Sequence, residues 1–235
     1  MTSSTPNEGI STPWAAIAGV TFVLMLTFLF IAIGYMTDAI SEKQKIISLT
    51  HNYEKIQIQL TNDLQKEFSN NLEEWNATFD PSTLSIRFEY PEILFKVGSA
   101  ELNDHFKTIL DDFFPRFLQI LCNPAYHDDI EEIRIEGHTS SEWEGEPSPR
   151  KAYFNNLELS QDRTRKVAEY LLSNIKDEKL FNWTKSYVTA NGLSSSKPIL
   201  KTDGQENKIR SRRVEFRVKT NAEKQMIRIH KQTES

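Results

Sequence analysis

The residues best suited to hold a ligand lie in two short stretches in the second half of the chain. The string GHTS at positions 137 to 140 follows a predicted strand, and positions 156 to 163 read NLELSQDR. Ser160 is a good N-cap, so this string predicts a helix from Ser160 to Ser173 with Arg163 in its first turn. An arginine there would bind a carboxylate with its planar fork, aided by free N–H groups and the positive end of the helix dipole.

Periodicity alone also fits a plainer reading of Arg163, as a solvated helix arginine paired with Asp162 or Glu158. Catalysis would require a nucleophile or a metal partner near His138. The chain has one cysteine, Cys122, which we interpret as a half-buried residue at a helix end, and it has no cluster of histidines. We therefore expect no catalytic residues, no metal and no cofactor.

Composition indicates one main globular domain with extensions. The chain has 235 residues, of which 38% are hydrophobic and 26% are charged, and its formal net charge is -5. Lysines and arginines alternate with acidic residues, whereas nucleic-acid binding usually leaves a basic stripe. We therefore expect no nucleic-acid partner.

An uncharged stretch at positions 14 to 36, WAAIAGVTFVLMLTFLFIAIGYM, predicts a transmembrane helix. It exceeds the roughly 20 residues that a bilayer requires, and positions 1 to 13 lack the basic residues of a secretory signal peptide. Trp14 and Tyr35 are placed as interfacial aromatics. Charge gives little orientation, because no basic residue precedes the span and Lys43 and Lys45 follow it beside acidic residues.

Positions 37 to 80 predict a helical linker. From Ile46 onward, apolar residues recur at steps of three or four along one helix face: Leu49, Tyr53, Ile56, Leu60, Leu64, Phe68, Leu72 and Trp75. The first steps suit a coiled-coil seam between two chains, and the later steps do not. A dimer and a helix that packs on its own domain are equally compatible with this pattern. Positions 76 to 82, which include Asp80-Pro81, predict the end of the helix.

The remainder alternates strand and helix patterns and predicts an α+β sandwich, with helices on one face of a small mixed sheet. Predicted strands lie at Leu84 to Tyr90, Ile130 to Ile135, Tyr187 to Ala190 and Val214 to Val218. A helix is predicted from Glu101 to Leu121, with a kink or break at Pro115. Positions 221 to 235 are most simply a solvated tail.

From Leu94 to Lys219 the chain resembles the OmpA-like peptidoglycan-binding domain found in OmpA, Pal and MotB. The strings ILFKVGSAEL, IRIEGHT, NNLELSQDRTRKVAEYL, ANGLSSSKP and SRRVEF occur in the family's order. A transmembrane segment and a helical linker before such a domain resemble MotB-type stator subunits. GHTSSEW, the insertion after it and ANGLSSSKP are most similar to the ZorB subfamily of the Zorya anti-phage defence system. The resemblance implies a βαβαβ-type sandwich at positions 81 to 220.

The resemblance also implies a function and a site. In the family, the arginine of the N-x-x-L-S-x-x-R motif binds the free carboxylate of diaminopimelate in the peptide stem. This motif falls on Asn156, Leu159, Ser160 and Arg163, beside His138, Thr139 and Ser140 at the strand end. Asn156 is suited to bond a peptide backbone, whereas Leu159 is expected to anchor the loop.

The implied location is the bacterial inner membrane, with a single span, positions 1 to 13 in the cytoplasm and the C-terminal domain in the periplasm. The implied partners are peptidoglycan, a second copy in a homodimer and a multi-span MotA/ExbB/ZorA-like channel protein. The implied function is a wall-anchoring subunit of an ion-driven motor. A passive tether between membrane and wall is the alternative.

The sequence departs from the family at two charged positions. Ser140 stands where the family commonly has the aspartate that receives the stem's ammonium group. Because the loop from Ser140 to Asn156 is longer than usual, the acid is displaced to Glu142 or Glu144, or else affinity is weak until binding is activated.

The other departure is in the span, where Gly19 occupies the position of the ion-binding aspartate. The carboxylate is lost, is moved to the partner, or was never needed because the anchor does not conduct. Thr21 and Thr27 offer hydroxyls to a cation path, but bonding of these hydroxyls to their own helix is the simpler expectation.

Overall fold

The structure is a computed structural model that describes residues 13–90, 94–96 and 99–221. Apart from Pro13 and Asn221, the tails predicted at positions 1 to 13 and 221 to 235 lie outside the described residues. The chain divides into two compact units, Met1–His51 and Asn52–Ser235. Helix α1, Pro13–Phe68, supplies the described part of the first unit and the beginning of the second.

The first unit is an apolar helical segment. Within the described residues, Ala16–Gln44 is the one helix segment that is long and apolar enough to cross a membrane. Its 29 residues rise about 43 Å, more than the roughly 30 Å hydrocarbon core. Thr21 Oγ1 donates to the Ile17 carbonyl (3.0 Å), and Thr27 Oγ1 donates to the Leu24 carbonyl (2.7 Å). These hydroxyls therefore bond to their own helix, which was the simpler expectation.

The second unit contains a five-stranded mixed sheet, and this confirms the predicted α+β class. The strands are β1 (Ala77–Asp80), β2 (Ser85–Glu89), β3 (Ile130–His138), β4 (Val188–Gly192) and β5 (Arg213–Thr220), and their order in the sheet is β1-β2-β5-β3-β4. β3 and β4 are parallel, and the other neighbouring pairs are antiparallel. The helices of this unit after α1 are α2 (Asp104–Leu121), α3 (Pro149–Asn174), α4 (Glu178–Tyr187) and the short α5 (Lys208–Ser211).

Aromatic packing joins helix α2 to one face of the sheet. Phe216 of β5 lies at its centre, with ring centroids 5.0 Å from Phe113, 5.8 Å from Phe88 and 6.4 Å from Phe117. Such tilted and edge-to-face contacts add to the free energy gained by burying the rings. Helix α2 continues through Pro115, so it does not break there, and the alternative of a kink at Pro115 stays a prediction. Cys122 is half-buried at the C-cap of α2, as predicted.

The linker differs from the predicted pattern at its C-terminal end. Helix α1 ends at Phe68, although the predicted apolar stripe runs on to Trp75. The break falls where Ser69, Asn70 and Asn71 follow, and such residues favour turns over helix. The strand β1 then occupies positions that we predicted as the end of the linker, and it pairs with β2.

The last turns of α1 pack on the domain that follows them. Leu60, Leu64 and Phe68 are fully buried and belong to the same core as Trp75. Arg116 of α2 fixes this helix end, because its Nη2 donates to the Glu67 carbonyl (2.9 Å) and its guanidinium lies 5.1 Å from the Phe68 ring centroid. This stretch of the linker therefore packs on its own domain, which was the second of the two predicted possibilities. The predicted dimer stays a prediction.

Leu64→Ala tests this packing, with Ile58→Ala as a matched control on the same helix. Leu64 is fully buried and Ile58 is 60% exposed. We expect Leu64→Ala to lower the free energy of unfolding by about 2–5 kcal/mol and Ile58→Ala by less than about 0.5 kcal/mol. Denaturant unfolding of the full chain in detergent, followed by circular dichroism, measures both. Equal losses, or a loss at Leu64 that depends on protein concentration, would contradict packing within one chain.

Candidate functional site

Helix α3 lies directly on the ends of β3 and β4. Gly137 and Gly192 are neighbours in the parallel ladder between these strands. A Cβ atom on Gly137 would lie 2.7 Å from Thr164 Cγ2 and 2.8 Å from the Ser160 carbonyl oxygen, and one on Gly192 would collide with the backbone of Gln161. Glycine at both positions therefore allows the helix backbone to approach the sheet this closely.

The predicted start of this helix was wrong. Helix α3 begins at Pro149 with Ser148 as its N-cap, so Ser160 lies in the helix interior. The Ser160 hydroxyl donates to the Leu157 carbonyl (3.0 Å) and accepts from the Ser194 backbone N–H (3.1 Å). It thus ties the loop after β4 to the helix. Arg163 is not in a first turn, so free N–H groups and the helix dipole do not assist it.

Arg163 is held beside the end of β3 by contacts that the motif did not predict. Its Nε donates to the Ser99 carbonyl (3.0 Å), and its guanidinium carbon lies 4.7 Å from the centroid of the Phe95 ring. Together with Gly137, His138 and Ser160, Arg163 and Phe95 line one small, mostly enclosed pocket. The stacking and the backbone bond orient the planar guanidinium, which is half-buried, before any ligand arrives.

Asn156 fixes the loop after β3. Its side chain is buried, and Nδ2 donates to the carbonyls of Ser140 (3.1 Å) and Glu142 (3.0 Å). Both amide hydrogens are engaged in the loop, so Nδ2 does not donate to a peptide ligand in this conformation, and the predicted contact of Asn156 with a peptide backbone stays a prediction. Thr139 and Ser140 are also buried, and Leu159 is half-buried within α3.

The acidic residues around Ser140 differ in the partners of their carboxylates. The carboxylate of Glu142 is bound by Lys208, whereas Glu144 is exposed. A third acid, Glu206, accepts bonds from the backbone N–H of Ser141 (3.1 Å) and from its hydroxyl (2.5 Å). Sequence reasoning missed Glu206, because 65 residues separate it from Ser141 and no local pattern connects them.

His138 lies on the sheet face that also carries Glu136 and Glu215. Its side chain is 1% exposed, so the predicted contact with a polymer is not available to it here. Its Nε2 lies 3.6 Å from Glu136 Oε2 and 3.9 Å from Glu215 Oε1, and neither ring nitrogen has a hydrogen-bond partner among the described residues.

Glu136, His138 and Glu215 are also the one group in the described part of the chain whose donor atoms could surround a metal ion. However, Glu215 Oε1 already accepts hydrogen bonds from Arg213 Nε (2.5 Å) and Arg87 Nε (3.0 Å). These two guanidinium groups compensate the charge of Glu215 and would repel a cation, so we interpret the group as a buried ion-pair network. The absence of a metal stays a prediction.

The pH dependence of stability tests this network. Burial lowers the pKa of His138 below its usual value of about 6.5, and Arg213 acts in the same direction, while Glu136 and Glu215 oppose it. At a pH below about 6.5, His138 is protonated in the unfolded chain but stays neutral in the folded chain. Stability therefore falls as pH falls through about 6.5, by at most about 1.4 kcal/mol per pH unit.

We expect the melting temperature of the full chain in detergent to drop between pH 7.5 and pH 5.5, and His138→Gln to flatten that drop. The pKa of Glu136 is lowered despite the opposing effect of burial, so its contribution is lost only at lower pH. Exposed His105→Gln serves as the control and should keep the wild-type slope. If His138→Gln leaves the pH dependence of the melting temperature unchanged, the interpretation of His138 as a buried, neutral imidazole is wrong.

Comparisons with known proteins agree with this architecture. Residues 94–213 match the OmpA family. The chain is 47% identical over 218 residues to the Zorya protein ZorB of Escherichia coli (strain Crooks), covering 92% of this chain and 91% of that protein. It is also similar to the crystal structure of a MotB-like protein from Desulfovibrio vulgaris, with a TM-score of 0.52 and 25% identity over 73% of this chain and 95% of that one.

These findings match the resemblance inferred from the ordered motifs. They also agree with the expectation that the chain is no enzyme. The family match spans α2, β3, β4 and α3, the helix that carries Arg163. The chain belongs to the OmpA family, as a MotB-like member of the ZorB type.

Proposed function

We propose that this chain is the wall-anchoring subunit of an inner-membrane, ion-driven motor complex, and that its folded domain binds peptidoglycan in the periplasm. The observation that carries the proposal is Arg163, whose guanidinium is fixed at the end of β3 by the Ser99 carbonyl and the Phe95 ring. Family membership and the apolar segment Ala16–Gln44 support a single-pass anchor in front of that domain.

Arg163 would bind the free carboxylate of diaminopimelate in the peptide stem. A guanidinium held in one orientation loses little side-chain entropy on binding, so more of the interaction energy contributes to affinity. Because Ser140 brings no charge, the stem's ammonium group requires an acid from elsewhere. Glu144, which is exposed, and Glu206, which is bound to Ser141, are the candidates, since Glu142 is paired with Lys208.

The proposed setting is a homodimer that works with a multi-span MotA/ExbB/ZorA-like channel protein in anti-phage defence. Its support is the similarity to the Zorya protein ZorB along 92% of the chain. A passive tether is the second candidate, and it is favoured by the lack of any Asp, Glu, His, Lys or Arg side chain at positions 14 to 36. A Cβ at Gly19 would meet nothing within 4 Å in this chain, so packing within the chain does not explain the missing aspartate.

Cosedimentation with purified sacculi tests the wall site. We expect Arg163→Ala to lower the bound fraction of the full chain at least tenfold, and Arg163→Lys to restore it only in part, because lysine keeps the charge but loses the fork. Arg165→Ala is the matched control: Arg165 is exposed on the same helix and pairs with Glu169 at 2.5 Å. If the Arg163→Ala variant cosediments with sacculi as well as the wild type does, the assignment of Arg163 to the peptidoglycan-binding site is wrong.

Co-purification distinguishes the motor from the tether. We expect the full chain, extracted from native membranes in mild detergent, to carry a multi-span channel protein in fixed ratio. The Arg163→Ala variant should retain that partner, because the wall site plays no part in the membrane contact. Recovery of the chain without any multi-span protein, under conditions that keep wall binding intact, would favour the tether.

A further inference from the structure

The loop that connects β3 to α3 lines one side of a cleft. The motif proposed to bind peptidoglycan does not explain this cleft. The cleft has a volume of about 660 Å³, within the usual range of 300–1,000 Å³ for small-ligand sites. Its lining combines the indole of Trp143 and the rings of Pro147 and Pro149 with the carboxylate of Glu144. Ser140, at the end of β3, also lines it.

The cleft is formed before any ligand binds. Asn156 holds the carbonyls of Ser140 and Glu142, and Glu206 holds Ser141, as described above. Farther along the loop, Glu146 Oε1 accepts the Ser148 backbone N–H (3.0 Å). The loop is thus attached to other elements at residues 140–142 and closed by a local bond near its end, and a preformed loop of this kind reduces the entropy lost on binding.

The chemistry of the lining fits a chain of hexosamine sugars. A pyranose ring presents a face of C–H groups, which suits an indole and proline rings, and an edge of hydroxyl donors, which suits carboxylate acceptors. Acidic residues outnumber the one arginine, Arg212, in the lining, so an anionic polymer such as a nucleic acid would be repelled.

We infer that this cleft binds the glycan backbone of peptidoglycan, beside the site for the peptide stem. The inference rests on the proposed function. Asn156, which holds the cleft loop, precedes Arg163 by seven residues of helix, or about 10 Å of rise. Three extended residues span about the same distance, so a stem peptide whose third residue reaches Arg163 can begin at a sugar in the cleft.

Two separated probes test this inference with the full chain in nanodiscs. One probe is uncharged glycan strands, here oligomers of β-1,4-linked N-acetylglucosamine, which lack the free lactyl carboxylates of amidase-cleaved strands, and the other is a sugar-free tripeptide that ends in diaminopimelate. We expect Trp143→Ala to raise the Kd for glycan strands about tenfold without changing tripeptide binding. Arg163→Ala should show the opposite pattern.

Phe154→Ala is the control, because Phe154 is a 54% exposed aromatic on α3 that does not line the cleft. If Trp143→Ala fails to fold, Glu144→Gln changes an exposed acceptor and should still weaken glycan binding several-fold. A wild-type chain that binds the tripeptide and sacculi but not glycan strands overturns the cleft assignment alone. A chain that binds neither the tripeptide nor sacculi overturns the proposed function instead.

Discussion

The close approach of helix α3 to the ends of β3 and β4 is the constraint on which the rest of the site depends. No side chain fits between the helix and the strands at Gly137 and Gly192, and the Ser160 hydroxyl bonds across the same contact. Once α3 is fixed there, Asn156 in its N-terminal half holds the loop after β3 in place. The middle of the helix determines where Arg163 lies. The geometry of the binding residues is thus set by backbone contact, which tolerates little displacement.

The two faces of the sheet are stabilised by different interactions. The helix side is an aromatic and aliphatic core around Phe216, and the other side carries charged residues that include Glu136, Arg213 and Glu215. Alternation along β3 and β5 assigns neighbouring residues to opposite faces. His138 therefore lies on the face of the ion-pair network, and at the strand end it also lines the small pocket beside Arg163.

Much of this fold could be predicted from the sequence, because strong periodicity marks β2, α2, β3 and β5. The start of α3 could not be recognised from periodicity, since the first residues of that helix, PRKAYFNN, show no apolar stripe; the Ser148-Pro149 pair was the available signal. The strand β1 is four residues long and stands beside Asp80-Pro81, which resembles a turn. The motif identified Arg163, but its partners Ser99 and Phe95, and the bond from Ser141 to Glu206, join distant parts of the chain.

The order of the strands has a mechanical consequence. The buried turns of α1 pack with Trp75 and Phe88, near β1 and β2, whereas Arg163 lies at the ends of β3 and β5. A pull between the linker and a polymer held by Arg163 would therefore pass sideways through the sheet. Each strand pair on that path would carry the load in turn, through its backbone hydrogen bonds and the aromatic core beneath the sheet.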